Sequence, residues 1–132
     1  MPAAPHPISI RILGAVAVGG ALGSLSRWGL SLALGPWVGS GLPLATLLAN
    51  LLGCLAIGVL ASLPGLAAGP SWLRPFLITG VLGGFTTFSA LVLEVGVLAE
   101  AGQVVVAATY VLLTLAGGIA AVSIGRALTG RR

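Results

Sequence analysis

Lysine and aspartate are absent from this 132-residue chain, and glutamate occurs twice, as Glu94 and Glu100. Six arginines, at positions 11, 27, 74, 126, 131 and 132, give a formal net charge of +4, with charged residues at only 6%. Cations so few and so scattered cannot form a clustered basic face, which argues against a nucleic-acid partner. The single cysteine, Cys54, excludes an internal disulfide, and its apolar neighbours read as the setting of a small buried hydrophobe. Only one histidine, His6, is present, in a proline-rich tail. The chain therefore lacks the ligands of a zinc site and the members of a nucleophilic triad, and no enzymatic activity is expected. The stretch from Met1 to Pro7 has neither the charged start nor the cleavage site of a signal peptide, so the first apolar run is expected to remain as a span.

What is abundant is apolar: 58% of residues are hydrophobic and the mean hydropathy is +1.17. Four spans of roughly 20 residues take about 80, leaving little beyond tails and turns, so residues 1–132 are expected to form a single transmembrane domain. The runs fall at about 8–34, 43–63, 72–98 and 103–128, punctuated by Gly35-Pro36, by Pro64-Gly65 with a loop to Pro75, and by Ala99 to Gly102. Because these runs are apolar all round, rather than alternating over about ten positions, they read as helices and not as membrane β-strands. Glycine is also abundant, with 21 residues, most of them inside the runs. The Gly19/Gly23 and Gly80/Gly84 pairs have the four-residue spacing that lets helix backbones approach in lipid.

Polar groups at membrane depth are costly unless paired or used, so they are the candidates for function. The third run reads Thr79 to Ser89 as TGVLGGFTTFS, where a glycine pair followed by two β-branched threonines predicts a break in the helix. Freed carbonyls there either hold a cation or are part of a kink satisfied by threonine hydroxyls. Asn50 could face an anion or join two helices. Tyr110 and Thr114, four apart with Gly118 beyond them, form one face of the fourth helix: a polar track, or hydroxyls bonded to their own backbone. Arg27 reaches either the interface or a vestibule, where it would concentrate anions. Glu94 is the one acid expected inside the membrane, paired or facing a wet end of the bundle.

At these residues the sequence resembles the bacterial CrcB/Fluc fluoride channel family across all four helices. The pattern of glycines leading to an arginine stands as Gly19 to Arg27, the asparagine with spaced glycines as Asn50, Gly53 and Gly58, and the Gly-Gly-x-Thr-Thr-Phe-Ser run as Gly83 to Ser89; Glu94 fits the acid that follows. The resemblance implies an all-α membrane protein of four helices, the third broken, paired antiparallel in a dual-topology dimer in the bacterial inner membrane. It implies passive fluoride efflux, with a structural sodium ion held by the backbone carbonyls of Gly83 and Thr86. Asn50, Phe88 and Ser89 would line the fluoride path, and Tyr110 with Thr114 would extend it. Gly83 is expected to be glycine because the conformation and close approach require it. The chain departs from the family at Ala90 and Leu91, where a Thr-Phe pair is common, and at Gly118, where a hydroxyl is common.

Neutral donors suit such a path, since fluoride must exchange its water for hydrogen bonds and aromatic edges without being held too tightly to leave. The competing readings are a small multidrug exporter, which needs an exchangeable carboxylate usually on the first helix, where this chain has none, and a structural membrane subunit without transport. Four spans put both tails and the second connection on one side, with Arg11, Arg74, Arg126, Arg131 and Arg132, against Arg27 on the other. That imbalance favours a fixed orientation with the tails in the cytoplasm, so the partner is either a second copy or a similar subunit of opposite bias.

Overall fold

The computed structural model describes residues 9–39 and 41–130; the proline-rich tail with His6, the expected helix start at Ile8, and Arg131 and Arg132 lie outside them. All regular structure among the described residues is helical. Helix α1 spans Ile10–Leu34, α2 Leu44–Ala61, and α3 is a short helix, Pro64–Ala68. The third long segment is built in pieces. A π-helical stretch, Pro75–Leu82, passes into α4, Gly83–Phe85, and α5 follows over Phe88–Glu100. Helix α6 closes the chain over Val104–Thr129. Four segments, Ile10–Leu34, Leu44–Ala61, Pro75–Glu100 and Val104–Thr129, are long and apolar enough to cross a membrane.

Two features depart from the sequence expectation. The connection after α2 is not wholly loop, because Pro64 supplies a ready first turn and Pro64–Ala68 coils into α3. The third segment also enters at Pro75 and in the wider π form rather than as a regular helix from Trp72.

Glycine decides which helices touch. Gly19 and Gly23 of α1 lie on the backbone of the third segment: a Cβ on Gly19 would be 2.5 Å from the Phe76 carbonyl, and one on Gly23 would overlap the Val81 carbonyl. Gly80 and Gly84 return the contact, facing the carbonyls of Val16 and Gly20. A second seam joins α2 to α6, with Gly58 against the Val122 carbonyl and Gly125 against that of Leu55. In lipid no hydrophobic force draws helices together, so this close van der Waals fit is the main source of association. Helices α5 and α6 meet α2 in an apolar cluster of Leu47, Leu91, Leu98, Ala107 and Tyr110. Outward-facing Val18, Leu25, Leu32, Leu112 and Ile119 are exposed, as side chains that meet lipid should be.

Candidate functional site

The site forms where α4 stops. Thr86 (φ −82°, ψ 155°) and Thr87 (φ −151°, ψ 128°) are extended, so their backbone groups leave the helical ladder and need other partners. Each finds them differently. Thr86 stays attached to the turn behind it, its N–H donating to the Leu82 carbonyl at 3.0 Å and its Oγ1 to the same oxygen at 2.9 Å. Thr87 is held from α2. Its N–H donates to Asn50 Oδ1 at 2.8 Å, and its carbonyl accepts from Asn50 Nδ2 at 3.0 Å. The Thr87 hydroxyl then accepts the Ala90 N–H at 3.2 Å, capping α5.

The hydroxyls of Thr86 and Thr87 satisfy part of the backbone, yet the carbonyls of Gly83 and Thr86 make no hydrogen bond among the described residues. The Gly84 carbonyl accepts from Ser24 Oγ and Arg27 Nε of α1, both at 3.4 Å. Arg27 thus turns toward the end of α4. The expectation for Gly83 needs correcting: its φ is −64°, and a Cβ there would meet only the Ile78 carbonyl, at 3.9 Å. Neither a glycine-only conformation nor crowding explains this glycine within one subunit.

A groove of about 640 Å³ runs along this joint, lined by Asn50, Thr86, Phe88, Thr114 and Gly118, with Cys54 and Gly83 beside them. Asn50 and Thr114 are buried, whereas Phe88 is 73% exposed and turns its ring outward. Thr114 donates to the Tyr110 carbonyl at 2.9 Å, which leaves its oxygen lone pairs but not its hydrogen free. Ser89 is exposed and is not among the residues lining the groove, but its hydroxyl pairs at 3.2 Å with that of Thr87, which does line it.

Tyr110 is fully buried and points away from the groove. Its hydroxyl donates to Glu94 Oε2 at 2.6 Å, and Thr46 donates to Glu94 Oε1 at 2.7 Å. One carboxylate is thereby bound by two short, charge-assisted hydrogen bonds, the arrangement that makes an acid tolerable at membrane depth. A second cavity of about 580 Å³ reaches Glu94 and Thr46 from the α1–α2 connection, past Trp37 and Pro43. Sequence reasoning missed Thr46 and Ser24, and it gave Thr87 no part beyond the kink. For Thr46 a signal existed, since it lies four residues before Asn50 and so on the same face of α2.

The structure therefore gathers Asn50, Gly83, Thr86, Phe88 and Thr114 at one groove, leaves Ser89 outside its lining but paired with Thr87, which does line it, and sets Tyr110 with Glu94 away from it. Comparisons with known proteins point to one family. The family model described as CrcB-like protein, Camphor Resistance (CrcB), matches residues 14–126. A protein of Paracoccus denitrificans (strain Pd 1222) named fluoride-specific ion channel FluC is 49% identical over 117 residues, covering 86% of this chain and 93% of its own. Proteins of the same name from Rhodospirillum centenum (strain ATCC 51521 / SW) and Methylobacterium sp. (strain 4-46) are each 42% identical, over 120 and 114 residues, covering 90% and 86% of this chain and 95% and 91% of their own. With a family match over most of its length and relatives of nearly full coverage, the chain belongs to the CrcB family.

Proposed function

We propose that this chain is a subunit of a fluoride-specific ion channel of the bacterial inner membrane, passing fluoride passively out of the cell; it is a channel and not an enzyme. The observation that carries the reading is the groove at the α4–α5 joint, where a buried amide and an outward aromatic ring converge without a fixed charge. Such a lining can replace the water of a small anion. Asn50 spends one N–H on the Thr87 carbonyl and keeps the other for the path, and the positive edge of the Phe88 ring adds a weaker attraction. Neutral groups let the ion leave again, which a buried arginine would not. The charge nearest the joint, Arg27, is directed at the Gly84 carbonyl, so it biases the local potential toward anions from outside the groove.

The extended pair Thr86-Thr87 is, on this reading, the functional break of the third helix. The carbonyls of Gly83 and Thr86 fit a small hard cation such as sodium, being oxygen donors without a protein partner. When bound, sodium would supply positive charge that neutralises these dipoles and offsets part of the cost of bringing an anion nearby. Two carbonyls are too few to enclose it, so the proposed assembly is an antiparallel pair, with a second copy or with a similar subunit, each contributing half of the ligands. The exposed Phe88 ring and the open side of the groove suit such a partner.

Fluoride efflux from liposomes loaded with the purified protein, with no proton gradient, tests the function. Efflux is expected for the unmodified chain and its loss for Asn50→Asp, which removes the amide donors and adds a charge that repels the anion. Undiminished efflux through correctly assembled Asn50→Asp protein would overturn the groove as the path.

A further inference from the structure

Thr87 lines the groove, and both its backbone and its hydroxyl are engaged at the joint. Its backbone is fixed at both polar groups by Asn50, at 2.8 and 3.0 Å, so the direction of its hydroxyl is set by α2. That hydroxyl oxygen accepts the Ala90 N–H, which occupies one lone pair and leaves its hydrogen uncommitted. At 3.2 Å lies the Ser89 hydroxyl, and the bond between the two can run in either direction.

We propose that Thr87 is a positioning residue that makes Ser89 a donor to the anion by reversing this hydroxyl pair. The inference rests on the reading of Ser89 as part of the fluoride path. With no anion beside it, Ser89 donates to the second lone pair of Thr87 Oγ1 and is satisfied. When an anion arrives, the Ser89 hydrogen turns to it, and Thr87 donates its own hydrogen to the vacated Ser89 oxygen. Each oxygen keeps a partner in both states, and the one hydrogen left over while idle is that of Thr87, at a half-buried rather than a buried position. In the second state the bonds run head to tail, from the Ala90 N–H through Thr87 and Ser89 to the anion, and each polarises the next. Threonine at 87 is suited to this because the one group caps α5 and supplies the reversible hydrogen. No proton is transferred and no bond beyond hydrogen bonds changes.

A double-mutant cycle in the liposome efflux assay tests it. Thr87→Val and Ser89→Ala are each expected to slow efflux by roughly three- to tenfold, the size of one hydrogen bond. The double variant should be no slower than the slower single one, because Thr87 acts on the anion only through Ser89. Thr87→Ser, which restores the hydroxyl, should return to within about twofold of the unmodified rate. Loss of the α5 cap alone would give a different result: Ser89→Ala does not touch the cap, so the two effects would then multiply. Multiplying effects, or an unchanged rate in Thr87→Val, overturn the proposal. Should Thr87→Val fail to elute as the unmodified protein does on size exclusion, Thr87→Cys takes its place, keeping the bulk with a weak donor, and the same outcomes apply. Absence of efflux from the unmodified chain would instead overturn the fluoride reading itself.

Discussion

At the scale of single residues, the Glu94 carboxylate is bound by residues on two other helices. Thr46 of α2 and Tyr110 of α6 each give it one hydrogen bond, at 2.7 and 2.6 Å. Removing one of them leaves a carboxylate oxygen without its donor in a half-buried place. Tyr110→Phe is therefore expected to destabilise the subunit by about 1–3 kcal/mol, and Thr46→Val by a similar amount. Thermal unfolding of the purified protein in detergent measures both, and the double variant should cost less than the sum because both residues serve one carboxylate. Additive losses would mean that the two hydroxyls act independently of Glu94. The sequence showed Glu94 as an acid in need of a partner, but not which partner. Periodicity put Tyr110 and Thr114 on one face of α6, and only the packing of α5 against α6 separates their roles. Thr114 is left at the groove while Tyr110 turns to Glu94.

At the scale of elements, the four spans were legible because each is a long apolar run ended by proline or glycine, and the chemistry of chain termination is local. Their pairing was partly legible. Four-residue glycine spacing marked Gly19/Gly23 and Gly80/Gly84, which do face each other, whereas the Gly58–Gly125 seam joins residues without any shared local pattern. Gly83 shows the limit of the same reasoning. A glycine within a Gly-Gly pair suggests crowding, but here it is Gly84 that is pressed against the Gly20 carbonyl, while Gly83 has room. Gly84→Val and Gly23→Val are accordingly expected to force α1 off the third segment, since the obstacle in each case is main chain and cannot turn aside. Gly83→Ala is expected to leave the isolated subunit folded. Size exclusion and thermal unfolding of the three variants check this; a well-folded Gly84→Val protein, or an unfolded Gly83→Ala subunit, would show that the seam is misassigned. A loss of assembly confined to Gly83→Ala would place the Gly83 backbone at the contact with the partner.

At the scale of the whole molecule, the proposed antiparallel pair turns on which way the chain crosses the membrane, because such a pair needs subunits in both orientations. Orientation is set by arginine near the ends of short spans rather than by net charge. Four crossings bring the start of α1, the α3 connection and the end of α6 to one side, with Arg11, Arg74 and Arg126 there, and Arg131 and Arg132 just beyond the described residues. The other side has Arg27, seven residues before the end of α1 and directed inward at the Gly84 carbonyl, so its charge is not displayed in a flanking loop. That contact makes the asymmetry larger than the sequence tally of five against one implies. A single orientation with both tails in the cytoplasm is therefore expected, and with it a channel that pairs this chain with a similar subunit of opposite bias. A lone cysteine placed near the C-terminal end, on a Cys54→Ala background, and probed in intact cells with a reagent that cannot cross the membrane, should stay unlabelled. Labelling of about half the molecules would show that the chain inserts both ways and that the pair is two copies of itself. Arg27→Ala sharpens the test: an arginine engaged with the Gly84 carbonyl contributes little to orientation, so the labelled fraction should not change when it is removed, whereas a shift would show that Arg27 is read as a flanking charge despite that contact.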